Sequence, residues 1–100
     1  GSGPGFVYRF IDALAAAATQ LGLEQDQATS LALATVDGAS TLAAGSDITP
    51  GTLADQVASP GGMTREGLNV LDTDTALIEL LTRTLEATAI RGAQLSTGAD

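Results

Sequence analysis

Apolar residues recur at three- and four-residue steps along almost the whole of this 100-residue chain, and on several segments they cover more than half of a helix circumference. Phe6, Val7, Phe10, Ile11, Leu14, Ala18 and Leu21 trace one such stripe. Ala28, Leu31, Ala32, Thr35, Ala39 and Leu42 trace a second, widened sideways by Leu33 and Val36. Leu77, Ile78, Leu80, Leu81, Leu85, Thr88 and Ile90 trace a third. The chain contains 18 alanines and 14 leucines but only 3% aromatics, which favours helices packed through small side chains over strands. The expected class is all-α, in one domain over residues 1–100, with about five helices. A lone domain of this size buries only about 65% of its unfolded surface, so helices apolar nearly all round require a second surface. The expectation is a homodimer with a core shared between chains.

Local signals mark the elements. Pro4 suits a first helical turn, with Ser2 or Gly3 as its cap, and Gly22 suits a left-handed C-terminal cap. A second helix is expected from about Gln25 to Ala44, ending at Gly45. Gly38 in its middle is either simply tolerated or a point of close helix crossing. A short third helix carries Pro50 in its first turn, with Leu53 and Val57 inward. A fourth begins at Met63 or Thr64 and carries Leu68, Val70 and Leu71. Asp72-Thr73-Asp74 reads as a hinge and cap leading to a last helix from about Thr75 to Leu95. That helix offers Glu79 and Arg83 as an i,i+4 pair.

Composition removes most chemistries. The chain has no His, Cys, Lys or Trp, which excludes the usual Cys/His zinc sites, thiol nucleophiles, disulfides, Ser-His triads and lysine Schiff bases. Four arginines stand against twelve carboxylates, and a net charge of −8 makes nucleic acid and anionic membrane poor partners. The longest apolar run, Ile11 to Ala18, is broken by Asp12 and is too short to span a bilayer. With no cysteine and no visible signal peptide, a cytoplasmic setting is expected. Gly1-Ser2-Gly3-Pro4 runs into an apolar segment without an initiating Met, so the expectation is a fragment cut at a domain boundary.

One segment carries chemistry. In Ser59-Pro60-Gly61-Gly62-Met63-Thr64, two glycines precede a helix, so successive N–H groups can converge on an anion, aided by the helix dipole. Ser59 and Thr64 could complete the coordination of a small carboxylate without any lysine. A plain linker with Thr64 as N-cap is the other reading, and the residues alone leave both open. Gly1-Ser2-Gly3-Pro4-Gly5 reads as a helix start rather than a phosphate loop. Asp47 reads as a surface-loop residue with the option of approaching a ligand at the turn. Asp12, Asp26, Asp37, Glu66 and Glu86 read as solvated faces.

Two stretches resemble a known family. Gly1-Ser2-Gly3-Pro4 with Phe6-Val7-Tyr8 and Phe10-Ile11-Asp12-Ala13-Leu14 is similar to the start of the long interdomain helix of pyrroline-5-carboxylate reductases. Pro50-Gly51, Leu53, Asp55, Val57, Ser59-Pro60-Gly61-Gly62, Thr64, Gly67-Leu68 and Leu71 resemble that family's signature region. The resemblance implies an interlocked homodimeric helical bundle of the 6-phosphogluconate dehydrogenase C-terminal type, with room for a higher assembly of dimers. It also implies a small cyclic imino-acid substrate whose carboxylate lies on the turn. The backbone N–H groups near Gly61, Gly62 and Met63 would hold that carboxylate with Ser59. Thr64 would make the catalytic contact to the ring nitrogen, and Val57 would line the pocket. NADPH or NADH would belong to a Rossmann domain in a full-length parent, with no cofactor bound by this chain alone. Met63, Thr49, Asp47, Ala54 and Gly5 depart from the family's usual Thr or Ala, His, Glu, basic residue and Ala. The alternatives are a stand-alone helical dimerisation or binding module, and the helical domain of a related dehydrogenase acting on a different small acid.

Overall fold

The computed structural model describes residues 2–97, and every regular element among them is helical. These are α1 (Ser2–Gln20), α2 (Gln25–Ala44), α3 (Pro50–Gln56), α4 (Met63–Asp72) and α5 (Ala76–Ser96), with a 3₁₀ turn at Thr73–Thr75. The class and the number of helices match the sequence expectation. The chain divides into two compact units, Gly1–Pro50 and Gly51–Asp100.

The first unit is a helical hairpin in which α1 packs on α2. Helix α1 already includes Ser2 and Gly3, one turn's fraction earlier than expected, so neither serves as its cap. Pro4 is tolerated there because a first-turn residue has no intrahelical acceptor for the N–H that proline lacks. At the far end Gly22, at φ +114°, closes the helix: the Leu23 N–H donates to Ala18 O at 3.1 Å and the Gly22 N–H to Thr19 O at 3.0 Å. This is the Schellman arrangement, and it satisfies carbonyls that the helix end would otherwise leave open. Helix α2 then begins at the expected residue. The Glu24 carboxylate accepts from the Gln27 N–H at 3.0 Å, and backbone donors from Asp26 and Gln27 hold its pKa below the usual glutamate range.

The hairpin seam is made of small residues. Ala15, Ala28 and Ala32 are buried together, with Ile11 and Ala18 packed against them. The larger residues of the same stripes are not buried: Val7, Phe10 and Leu14 on α1, Leu21 just after it, and Leu31, Leu33 and Leu42 on α2 stay exposed. Thr35 and Ala39 are exposed as well. The expected apolar faces therefore exist, but the buried contact between the two helices is made by alanines, with Ile11 at its edge. A short side chain lets two helix backbones approach until leucines on either flank no longer fit between them. Gly38 makes no close crossing in this chain, since a Cβ there would meet nothing within 4 Å.

In the second unit α4 packs on α5. The reversal between them is strained: Asp74 (φ 55°) and Thr75 (φ 53°) are consecutive left-handed residues without being glycine. The expected cap at Asp72-Thr73-Asp74 is not formed. Thr75 occupies the N-cap position of α5 and makes no side-chain capping bond, while the Thr73 hydroxyl donates back to Asn69 O. Leu53 and Leu68 are half-buried, whereas Val57, Val70 and Leu71 are exposed. Helix α5 buries no residue: Ile78, Leu80, Leu81, Leu85, Ile90 and Leu95 all face outward. Its threonines are satisfied internally, Thr82, Thr84 and Thr88 donating to the carbonyls of Ile78 (2.7 Å), Leu80 (2.8 Å) and Thr84 (3.1 Å). Their hydroxyls thus ask nothing of the surroundings. Glu79 and Arg83 border a shallow hollow with Thr82, but the ion pairs among the described residues join Arg9 to Asp12 and Arg65 to Asp55.

Replacing Gly22 with Ala forces a Cβ into the left-handed region at a cost of about 1 kcal/mol. In thermal unfolding followed by circular dichroism, the midpoint should fall by about 4–8 °C; an unchanged midpoint would show that the Schellman closure does not hold the hairpin.

Candidate functional site

The Ser59–Thr64 segment lies wholly within the second unit and builds one device. Pro60 at the second position and Gly61 at the third, with φ +73°, are the marks of a type II turn. The closing bond runs from the Gly62 N–H to Ser59 O at 3.0 Å. A left-handed third residue is what restricts that place to glycine. Gly62 is favoured for a different reason, space: a Cβ on it would lie 2.7 Å from Ser59 Oγ and 3.3 Å from Ser59 O, so the Ser59 hydroxyl would have to turn away and its carbonyl to shift.

The turn delivers the chain directly into α4. Gly62 is the N-cap residue, extended at φ −82° and ψ 168°, and no side chain caps the helix. The Thr64 N-cap alternative does not hold, because Thr64 already lies inside the helix. The first intrahelical bond is that of the Glu66 N–H to Gly62 O, at 3.1 Å. The N–H groups of Met63, Thr64 and Arg65 therefore precede any helical acceptor and stand at the positive end of the dipole. Position also explains the Thr64 hydroxyl. On α5 each threonine reaches a carbonyl four residues back, but four residues before Thr64 is Pro60, outside the helix. Thr64 is exposed, and its hydroxyl has no hydrogen bond to another described residue.

Of the six residues singled out from the sequence, Ser59, Gly61, Gly62, Met63 and Thr64 form this continuous turn and helix start. The Gly62 N–H, expected among the carboxylate's donors, is engaged within the turn. Val57 follows α3 two residues ahead of the turn and is 72% exposed, and Met63 is 94% exposed. The segment is an open cradle of backbone donors. No group of three or more metal-ligating side chains occurs among the described residues. No helix among them is long and apolar enough to cross a membrane.

One pair escaped the sequence reading. Arg65 donates from Nη1 and Nη2 to Asp55 Oδ1, both at 3.2 Å, and from Nη2 to Ala58 O at 3.3 Å. The available signal was a pair of opposite charges bracketing the Pro-Gly-Gly turn, ten residues apart. It was muted because neither helical nor strand periodicity brings such positions together.

Comparison with known proteins adds a coherent set of relatives. The family model for pyrroline-5-carboxylate reductase dimerisation matches residues 1–95. Pyrroline-5-carboxylate reductase 2 of Bacillus subtilis is 39% identical over 95 residues, covering 95% of this chain and 34% of the relative. The enzyme of Aquifex aeolicus is 46% identical over 72 residues, or 72% of this chain and 27% of that protein. Among solved structures, the Coxiella burnetii reductase superposes with a TM-score of 0.87 at 37% identity, covering 95% of this chain and 35% of the other. The Plasmodium falciparum reductase, solved with NADP bound, gives 0.84 at 32% identity, covering 91% and 34%. The chain spans about a third of the length of these relatives. All-helical architecture, the Pro-Gly-Gly turn opening α4 and a family match over nearly every residue converge: this chain belongs to the pyrroline-5-carboxylate reductase dimerisation-domain family.

Proposed function

We propose that the chain is the dimerisation and substrate-binding portion of a reductase that converts 1-pyrroline-5-carboxylate to L-proline, and that it is inactive by itself. The assembly half of this reading is carried by α5, apolar on its outward faces with its threonine hydroxyls already satisfied. The surface area points the same way. The chain exposes 7667 Å² at 9.9 kDa. Two independent globules of half the mass would expose only about 6,300 Å². Covering an excess of about 1,400 Å² on each of two copies gives an interface of the size obligate homodimers use.

The substrate half rests on the turn. A carboxylate would be held by the first-turn amides of α4, chiefly those of Met63 and Thr64, with Gly61 and the Ser59 hydroxyl beside them. The Gly62 N–H keeps the turn closed. The free Thr64 hydroxyl would meet the ring nitrogen, and Val57 would cover an apolar edge of the ring. The domain's contribution is orientation: an imino acid fixed at its carboxylate presents its C=N carbon at a constant place. The described residues contain no strand, hence no strand–glycine loop–helix unit of the kind that cradles a dinucleotide. NADPH or NADH would be held by other residues of the parent.

Sedimentation equilibrium of the 100-residue chain at micromolar concentration should give a dimer; a monomer would contradict the assembly reading. In a full-length reductase carrying this domain, Gly62→Val should lower kcat/KM by about 100-fold, the usual effect of misplacing a substrate by an ångström. The dimer should remain intact. Unchanged turnover would remove the turn from the substrate site.

A further inference from the structure

Arg65 stands at an unfavourable place for its charge. It is the third residue of α4, where the helix dipole favours anions and disfavours cations. Its guanidinium is nevertheless the sheltered half of its ion pair, with 26% of the side chain exposed against 69% for Asp55. Both terminal nitrogens converge on Asp55 Oδ1 in α3, and Nη2 also reaches the carbonyl of buried Ala58, the residue immediately before Ser59. The side chain therefore grips the chain where it enters the turn, while the Arg65 backbone belongs to the helix by which the chain leaves it.

We infer that Arg65 is a positioning residue: with Asp55 it clamps the entry and exit of the Ser59–Gly62 turn, so that the amides of Met63 and Thr64 keep their alignment on a bound carboxylate. This rests on the reading of the turn as a carboxylate site. The clamp works by geometry rather than by attraction, because the Asp55 carboxylate neutralises the guanidinium. Arginine's planar fork also fixes the directions of these donors, with Nη1 and Nη2 both on Asp55 Oδ1 and Nη2 on Ala58 O as well, where lysine would bring a single nitrogen on an unbranched stem.

The two modes of action predict opposite results at Asp55. If Arg65 attracted the substrate directly, deleting Asp55 would release its charge and tighten binding. If Arg65 acts as a clamp, deleting either partner loosens the turn. The experiment uses the 100-residue chain and its Arg65→Ala, Arg65→Lys, Asp55→Ala and Arg65→Ala/Asp55→Ala variants, with far-ultraviolet circular dichroism to verify helix content. Amide hydrogen exchange of Gly62 reports closure of the turn without ligand, and ¹⁵N shifts of Met63 and Thr64 during titration with L-proline report binding.

Both single alanine variants should speed Gly62 exchange by about two- to fivefold, the range for a partly exposed ion pair. They should weaken the L-proline response by a similar factor, and the double variant should be no worse than either. Lysine at 65 should restore neither readout. Unchanged Gly62 exchange in both single variants overturns the inference, as does tighter L-proline binding in Asp55→Ala. A response in the unsubstituted chain that every variant retains in full removes the clamp while leaving the carboxylate site standing. No response of Met63 and Thr64 in the unsubstituted chain removes that site, and the positioning role falls with it.

Discussion

The contact on which the first unit depends is the alanine seam between α1 and α2. Ala15, Ala28 and Ala32 are small enough to bring the two helices together, with Ile11 packed at their edge and most of the larger residues beside them left exposed. An alanine seam buries little apolar area, and buried area is the main source of stability. Phenylalanine, valine and leucine remain on the outer faces, where they yield nothing until something covers them. Helix α5 repeats this economy in the second unit, with outward leucines and isoleucines and threonines bonded to their own backbone. Both units thus leave most of their large apolar side chains exposed, in keeping with a family described by its dimerisation.

The turn before α4 follows a different logic. In the proposed reading the backbone supplies the carboxylate's donors, and side chains serve to shape it. Pro60 and the left-handed Gly61 set the bend, and Gly62 leaves room for the Ser59 hydroxyl. The helix then starts without a capping side chain, which leaves its first amides without a side-chain acceptor. For a chain of net charge −8 this is an economical means of offering positive potential, since it needs no exposed lysine. Arg65 contributes by bracing the bend.

Legibility from the sequence followed the strength of local signals. Helix α2 was readable to the residue at both ends, because Gly22 and Gly45 punctuate a long periodic run. The resemblance of Pro50–Leu71 to the reductase signature marked the turn residues together. Three features lay beyond that reading for physical reasons. Helical periodicity identifies an apolar face but not whether an alanine or a leucine on it meets its neighbour, so Leu31 and Leu42 were grouped with Ala28 and Ala32. The left-handed pair Asp74–Thr75 has no local signature, since a β-branched threonine does not favour that conformation. The Arg65–Asp55 clamp spans a turn whose exit direction decides whether the two charges meet at all.

In the proposed homodimer the outward apolar faces are one half of a core completed by a second copy. Mixing ¹³C-labelled and unlabelled chain and recording isotope-filtered nuclear Overhauser effects tests this at the level of single methyl groups. Contacts between the methyls of Ile78, Leu81 and Leu85 in one copy and protons of the other are the result the account requires. Methyl signals on α5 with no contact between copies, at a concentration where the chain is fully folded, would contradict it.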